Sequence, residues 1–237
     1  PIYSQLHQKK AGTPTGGGII IWATVIGLAL IFFLFSLVFN HIFSYLDFIN
    51  RAQTYLPLAA MLIAAGLGLF DDVLGIMKIG PKGGGLAVRN KVLLYLVLSL
   101  LGALWFYFRL DWNTINVPLL GNVVIGLWYI PFFMFIITAS AFSLNETDGL
   151  DGLAGGVSLL AFTALTVVAF VLERYHLAAF SGATIGALLA FLWFNVHPAK
   201  FFMGDTGSMA LGITLGTVAL LTNTALWLPF FLFIPVI

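Results

Sequence analysis

Ile19-Ile20-Ile21-Trp22-Ala23-Thr24-Val25-Ile26-Gly27-Leu28-Ala29-Leu30-Ile31-Phe32-Phe33-Leu34-Phe35-Ser36-Leu37-Val38-Phe39 is a run of 21 residues without one charged side chain. A helix needs about 20 apolar residues to cross the hydrocarbon core of a bilayer, so this stretch predicts a membrane span. Outward from it lie further apolar runs: 55–70, 92–108, 123–144, 153–172, 177–196 and 209–221, with another beginning at Leu226. The runs are unbroken, whereas barrel strands alternate over about ten residues. Hydrophobic residues make up 61% of the chain and charged residues 8%, with a mean hydropathy of +1.06. Soluble domains lie near 45–50% and about 25%. The expectation is an all-α, polytopic integral membrane protein with about eight transmembrane helices, its active site on the loops of one side.

The 237 residues contain no cysteine, which excludes a disulfide framework and thiolate metal sites. A net charge of +1 with no basic stripe argues against nucleic acid as a partner. The chain begins at Pro1 without methionine and stops at Ile237 inside an apolar run. Both ends read as cut, and residues 1–237 are expected to form a single transmembrane domain truncated at both ends.

Because spans alternate in direction, each connector falls on one of two sides. One side holds residues 1–18, 71–91, 145–152 and 197–208, and the other holds 40–54, 109–122, 173–176 and 222–225. Lys9, Lys10, Lys78, Lys82, Arg89, Lys91 and Lys200, seven of the ten cationic residues, are on the first side. The positive-inside rule places that side in the cytoplasm. It also carries Asp71, Asp72, Glu146, Asp148, Asp151 and Asp205, six of the nine acids. On the other side Asp47, Asp111 and Glu173 each lie near Arg51, Arg109 or Arg174 and read as ordinary interfacial pairs. Residues 109–122 partly alternate in polarity and suggest a small interfacial hairpin.

Three knots on the first side carry the chemistry. Asp71-Asp72 closes a span, where the helix dipole disfavours each anion by about 0.3–1 kcal/mol. The pair reads either as a solvated helix end or as a metal ligand or general base. Asn145-Glu146-Thr147-Asp148-Gly149-Leu150-Asp151-Gly152 places two aspartates three apart, sharing a face if the segment is helical. Gly155 and Gly156 just beyond read as small-residue helix packing, which leaves the aspartates unexplained, and a carboxylate near a bilayer marks function by default. Phe202-Met203-Gly204-Asp205-Thr206-Gly207-Ser208 opens the next span. There Thr206 or Ser208 could cap the helix, and free backbone N–H groups would suit phosphate oxygens. Asp205 also fits a plain N-cap, and a lone asparagine such as Asn195 is usually structural. Lys10 leads into Gly12-Thr13-Pro14-Thr15 and three glycines, a loop suited to phosphate but lacking the Gly-Lys-Ser/Thr ending of a Walker loop. The Lys78–Lys91 loop could equally anchor anionic lipid head groups. His7, His41, His176 and His197 form no metal-spaced set. Acids, lysines, glycine-rich backbone and a helix start at one membrane surface are what metal-dependent phosphoryl transfer needs.

Lys9-Lys10-Ala11-Gly12-Thr13-Pro14-Thr15, Phe70-Asp71-Asp72, Asn145 through Leu153, and Pro198-Ala199-Lys200 before Phe202 through Ser208 together resemble the polyprenyl-phosphate N-acetylhexosamine-1-phosphate transferase family (glycosyltransferase family 4). The resemblance covers most of the chain. It implies transfer of phospho-N-acetylmuramoyl-pentapeptide from its UDP carrier (UDP-MurNAc-pentapeptide) to undecaprenyl phosphate, releasing UMP, with Mg²⁺. It further implies a multi-pass protein of the bacterial inner membrane with its site facing the cytoplasm, and admits a homodimer. By motif position, Asp205 would be a Mg²⁺ ligand with Asn145 as partner. Asp71 would be the base toward the lipid phosphate, and Asp72 would support metal or pyrophosphate. Asp148, Gly149, Leu150 and Asp151 would line the nucleoside pocket, with Phe202 stacked on uracil. Lys10, Thr15, Lys91 and Asn195 would contact nucleotide or phosphates.

The sequence departs from the family pattern at Gly16 and Glu146, and its Ile79–Gly85 loop is expanded, which loosens the placement of Lys91. The family's His-rich loop falls beyond Ile237. Two other readings stand beside this one. A relative of the same fold would use UDP-N-acetylglucosamine or a similar donor. A transporter would instead place ionisable residues near the midplane of its spans, and here they crowd one interface.

Overall fold

The computed structural model describes residues 13–38, 49, 52–81 and 84–231. Helices α1 (Gly18–Val38), α2 (Ala52–Ile76) and α3 (Val88–Arg109) come first. A hairpin of β1 (Thr114–Val117) and β2 (Gly121–Val124) follows, then α4 (Tyr129–Thr147), α5 (Leu153–Val171), α6 (Tyr175–Asn195) and α7 (Asp205–Leu221). Among the described residues six helices are long and apolar enough to cross a membrane, and α7 is a seventh, shorter apolar helix of 17 residues. The span expected from Leu226 begins as a 3₁₀ turn and α8 (Leu228–Phe231), and the rest of it lies outside the described residues. The fold is all-α and polytopic, as its apolar runs require.

Helix α7 is the axis of the bundle. Every residue from Thr206 to Leu221 is buried, against α2 and α4 chiefly, with α1 and α5 closing the ring. In lipid there is little hydrophobic drive between helices, so close backbone approach through small residues holds them together. A Cβ on Gly68 of α2 would stand 2.2 Å from the Asp205 carbonyl oxygen, and one on Gly212 of α7 would stand 2.6 Å from Ala141 Cα in α4. In the middle of this helix the hydroxyls satisfy themselves one turn back: Thr214 donates to Ala210 O (2.6 Å) and Thr217 to Ile213 O (2.8 Å). There its polar groups burden no neighbour.

Several boundaries differ from expectation. Helix α2 runs on past Asp71-Asp72 to Ile76, because both carboxylates are satisfied by partners from other elements. Helix α3 starts at Val88 rather than Val92, which moves Lys91 from a loop onto a helical turn. Val123 and Val124 pair with Ile115 and Thr114, so they belong to the hairpin and α4 begins only at Tyr129.

On the face bearing the hairpin, Asn223 Oδ1 accepts the Asn116 N–H at 3.0 Å, tying strand β1 to the end of α7. Arg174 donates to the Leu221 carbonyl and stacks over the Trp112 ring at 5.9 Å. Among the described residues, Arg174 and Glu173 form no ion pair, nor do Arg109 and Asp111, which corrects two of the expected interfacial pairs. Arg174 instead satisfies a carbonyl at the C-terminal end of α7, one of the groups that a helix leaves unpaired there. Asp47 and Arg51 lie outside the described residues.

Candidate active site

At the other end of the bundle four loops meet the first turn of α7. Gly204, at φ +74°, turns the chain into that helix, and a Cβ there would stand 2.6 Å from Thr15 Oγ1 and 2.7 Å from an Asp72 oxygen. Only glycine accepts both the conformation and the crowding. The segment before α1 lies alongside this loop. Phe202 N–H donates to Pro14 O (2.9 Å), Gly17 N–H to Phe202 O (2.9 Å) and Gly18 N–H to Met203 O (2.8 Å). Thr15 is thereby placed at the site, whereas Lys10 falls outside the described residues.

Lys91 joins the acids. Its Nζ stands 2.8 Å from Asp71 Oδ2 and makes a short contact with Asp205 Oδ2. The side chains of Lys91, Asp71 and Asp205 are 19%, 4% and 17% exposed, so water screens these charges little. Asp71 Oδ1 accepts the Leu86 N–H, fastening the glycine-rich loop to α2. Asn145, in the last turn of α4, donates from Nδ2 to Asp205 Oδ1 at 2.5 Å and to Ser208 Oγ at 3.0 Å. Two carboxylates thus share one ammonium, with Asp72 beside them. Among the described residues the cluster is short of positive charge.

Asp72 and Asp148 have a different geometry. Asp72 Oδ1 accepts Asp205 N–H (3.1 Å) and its Oδ2 accepts Thr206 N–H (3.0 Å), while Asp148 Oδ2 accepts Gly204 N–H (2.7 Å). Gly207 and Ser208 N–H both turn back to Gly204 O. Hence the start of α7 has no free N–H from Gly204 to Ser208, contrary to the expectation of a phosphate-ready helix end. Thr206 and Ser208 do not cap it either. Thr206 Oγ1 donates to Ala65 O and accepts Trp22 Nε1, and Ser208 Oγ donates to Gly204 O, each at 3.1 Å. The caps come from two other elements.

The expectation that Asp148 and Asp151 share a helical face is also corrected. Both lie in the turn between α4 and α5, which Gly152 closes at φ +75°. They nevertheless address one partner, the loop from His197 to Gly204. Asp151 Oδ2 accepts Ala199 N–H (3.3 Å) and lies 2.9 Å from His197 Nδ1. Gly149 and Leu150 form the exposed rim. Asn195, 1% exposed, accepts Gly152 N–H at Oδ1 (3.0 Å) and donates to Phe201 O (2.8 Å), so both ends of its carboxamide engage backbone. Phe202 is half-buried beside the loop. Sequence reasoning missed Ser208, His197 and Trp22. The first two stand within or beside a motif, but nothing in the order of residues says which atoms will face them.

Burial pushes the Asp148 carboxyl up to about 7, with N–H donors from Gly204 and Met203 opposing the rise and the charges of Asp205 and Asp72 adding to it. The folded state therefore keeps a proton that the unfolded chain releases near pH 4. Stability from this group is full below that pH and is lost as pH rises through about 7. Thermal midpoints measured from pH 5 to pH 8 are expected to fall less in Asp148→Asn than in the parent. Equal slopes would show that Asp148 titrates normally.

Among the described residues, no three carboxylate or imidazole groups converge as a ready metal cluster. The sequence model for glycosyl transferase family 4 matches residues 54–223, which include every element of the site except the segment before α1. The chain belongs to glycosyl transferase family 4. It is similar to the phospho-N-acetylmuramoyl-pentapeptide-transferase of Chloroflexus aurantiacus, at 38% identity over 97% of this chain and 60% of that relative. The Clostridium perfringens protein of the same name is 41% identical over 93% of this chain and 64% of its own length. The one from Listeria monocytogenes is 36% identical over 92% and 64%. The chain spans about three fifths of the length of these relatives. Within the family match fall Asp71-Asp72, Lys91, Asn145 to Asp151 and Asp205.

Proposed function

We propose that this protein transfers phospho-N-acetylmuramoyl-pentapeptide from its UDP carrier to undecaprenyl phosphate at the cytoplasmic face of a bacterial inner membrane. The observation that carries the reading is Lys91 held between Asp71 and Asp205, where four loops meet at one end of a membrane-spanning bundle. The names of the relatives give the donor its identity. The excess of lysine and arginine on this side supports its cytoplasmic placement.

Phosphoryl transfer asks for positioning and for positive charge where the diphosphate is split. An oxygen of the lipid phosphate bonds to the sugar-bearing phosphorus, the bond from that phosphorus to the bridging oxygen breaks, and UMP leaves. Asp71 is suited to take the proton of the lipid phosphate once its ammonium partner has moved away. Lys91 turns from the two acids to the diphosphate oxygens. Asp205, with the carboxamide oxygen of Asn145 beside it, would hold Mg²⁺, an ion that takes hard oxygen donors and one or two carboxylates. The fit rests on that donor set and on the acid excess that one ammonium leaves unbalanced. When bound, the ion supplies positive charge to the diphosphate. Phe202, Gly149, Leu150 and Asp151 are assigned to the nucleoside, and Lys10 and Thr15 to nucleotide or phosphates. Asn195 serves by fixing the two loops that carry them.

The test is transfer by the purified full-length protein with undecaprenyl phosphate and either UDP-N-acetylmuramoyl-pentapeptide or UDP-N-acetylglucosamine. UMP release and a lipid-linked product are expected with the first donor only. Product from the second donor alone would assign the protein to the other branch of the family, and product from neither would remove the transferase reading.

A further inference from the structure

Tyr95 lies one turn beyond Lys91 on α3 and is wholly buried, and among the described residues its hydroxyl oxygen has no hydrogen-bond partner. A buried hydroxyl left unpaired is a cost that a folded protein normally removes. Four residues along a helix place two side chains on one face, so Tyr95 shares the face of α3 that carries Lys91, one turn further along. The charges that act on it are those of Asp205, Asp71 and Glu146. It is therefore a donor without an acceptor, in the field of the two acids that Lys91 bridges.

We propose that Tyr95 is a positioning residue for Asp205, donating its hydroxyl hydrogen to that carboxylate when Lys91 turns away to phosphate. The inference rests on the reading of the site as a transferase centre, since it is the arriving phosphate that draws Lys91 off. In the resting arrangement the hydroxyl makes no bond to Asp205, so the exchange needs a small shift of the Asp205 or Tyr95 side chain as Lys91 withdraws. Carboxylates that hold a metal are themselves held by outer hydrogen bonds, and loss of such a partner typically weakens metal affinity ten- to a hundredfold. Asn145 fills that place on Oδ1. Lys91 fills it on Oδ2 only while no phosphate competes. Tyr95 is the group left to succeed it.

Tyr129 is the control. Its hydroxyl is equally buried and unpartnered, but it lies at the start of α4, at the opposite end of the bundle. Tyr95→Phe and Tyr129→Phe are compared in the full-length protein by thermal midpoint without metal, by Mn²⁺ binding followed through the electron-spin-resonance signal of the free ion in the presence of UMP, and by turnover. Tyr95→Phe is expected to leave the metal-free midpoint unchanged or raised, because no bond is lost in the resting state. Mn²⁺ binding should weaken roughly tenfold or more, and turnover should fall with little change in KM for the UDP donor. Tyr129→Phe should change none of these. Parental Mn²⁺ binding and turnover in Tyr95→Phe would overturn the proposal, as would a lowered metal-free midpoint. Failure of the parent to transfer any donor would count against the function instead, and Mn²⁺ binding would still report on Tyr95.

Discussion

Lys91→Met is expected to abolish transfer and to destabilise the fold, whereas Asp205→Asn should abolish transfer while leaving the fold intact or more stable. The difference follows from the charge count. Among the described residues Lys91 is the one cation bonded to Asp71 and Asp205, and all three side chains are shielded from water. Removing it leaves two carboxylates facing each other, which costs about 3 kcal/mol, the scale for stripping one partner from a buried pair. Asp205→Asn removes a carboxylate from an acid-rich cluster and keeps an oxygen for Asn145 to donate to. Its loss of transfer, about a hundred- to a thousandfold, comes from weaker stabilisation of the splitting diphosphate. A second substitution separates the two effects of Lys91: adding Asp71→Asn to Lys91→Met should recover most of the stability and none of the activity. Thermal midpoints and UMP release for Lys91→Met, Asp71→Asn, the double variant and the parent give a complete cycle. If Lys91→Met were as stable as the parent, the arrangement of one ammonium between two acids would be wrong.

The apolar runs settled the fold class without help, because a bilayer imposes a length and a polarity that can be counted. The side of each connector was legible for the same reason. What the runs could not show is where helices begin once polar side chains find partners elsewhere. Asp71 and Asp72 look like a stop signal, and Asn145 and Asp205 look like loop residues, yet all four lie within helices. Each is satisfied across the bundle, by contacts 60 or more residues away in sequence or by the returning glycine-rich loop. Lys91 illustrates the same limit. Its motif placed it near phosphate, but its bond to Asp205 crosses 114 residues, and no local pattern encodes that. The two-aspartate spacing at 148 and 151 pointed to a common partner through the wrong geometry, a helical face in place of a turn. Spacing constrains a pair only once the backbone between them is known.

Asp72 supplies the sharpest separation between a chemical and an architectural role. Its two oxygens accept the N–H groups of Asp205 and Thr206, so a carboxylate of α2 caps the helix that presents Asp205. Side-chain caps are worth about 0.5–2 kcal/mol each, and an anion at a helix N-terminus gains from the dipole as well. Asp72→Ala should therefore cost roughly 2 kcal/mol and lower turnover by displacing Asp205, with Mg²⁺ half-saturation rising. Asp72→Asn keeps one acceptor oxygen and about the same shape, so it should retain half or more of the lost stability and a measurable part of the turnover. A direct role on metal or pyrophosphate predicts otherwise: the charge itself would matter, Asn and Ala would be equally inactive, and neither need change the thermal midpoint. Suppressing the alanine defect elsewhere in the cap offers a further check. Asp148 holds Gly204 N–H in the same turn, so Asp72→Ala and Asp148→Ala should combine more than additively in stability, because each alone leaves the other to fasten the start of α7. Strict additivity of the two midpoint changes would mean that the caps act independently, and Asp72 would return to the chemistry of the site.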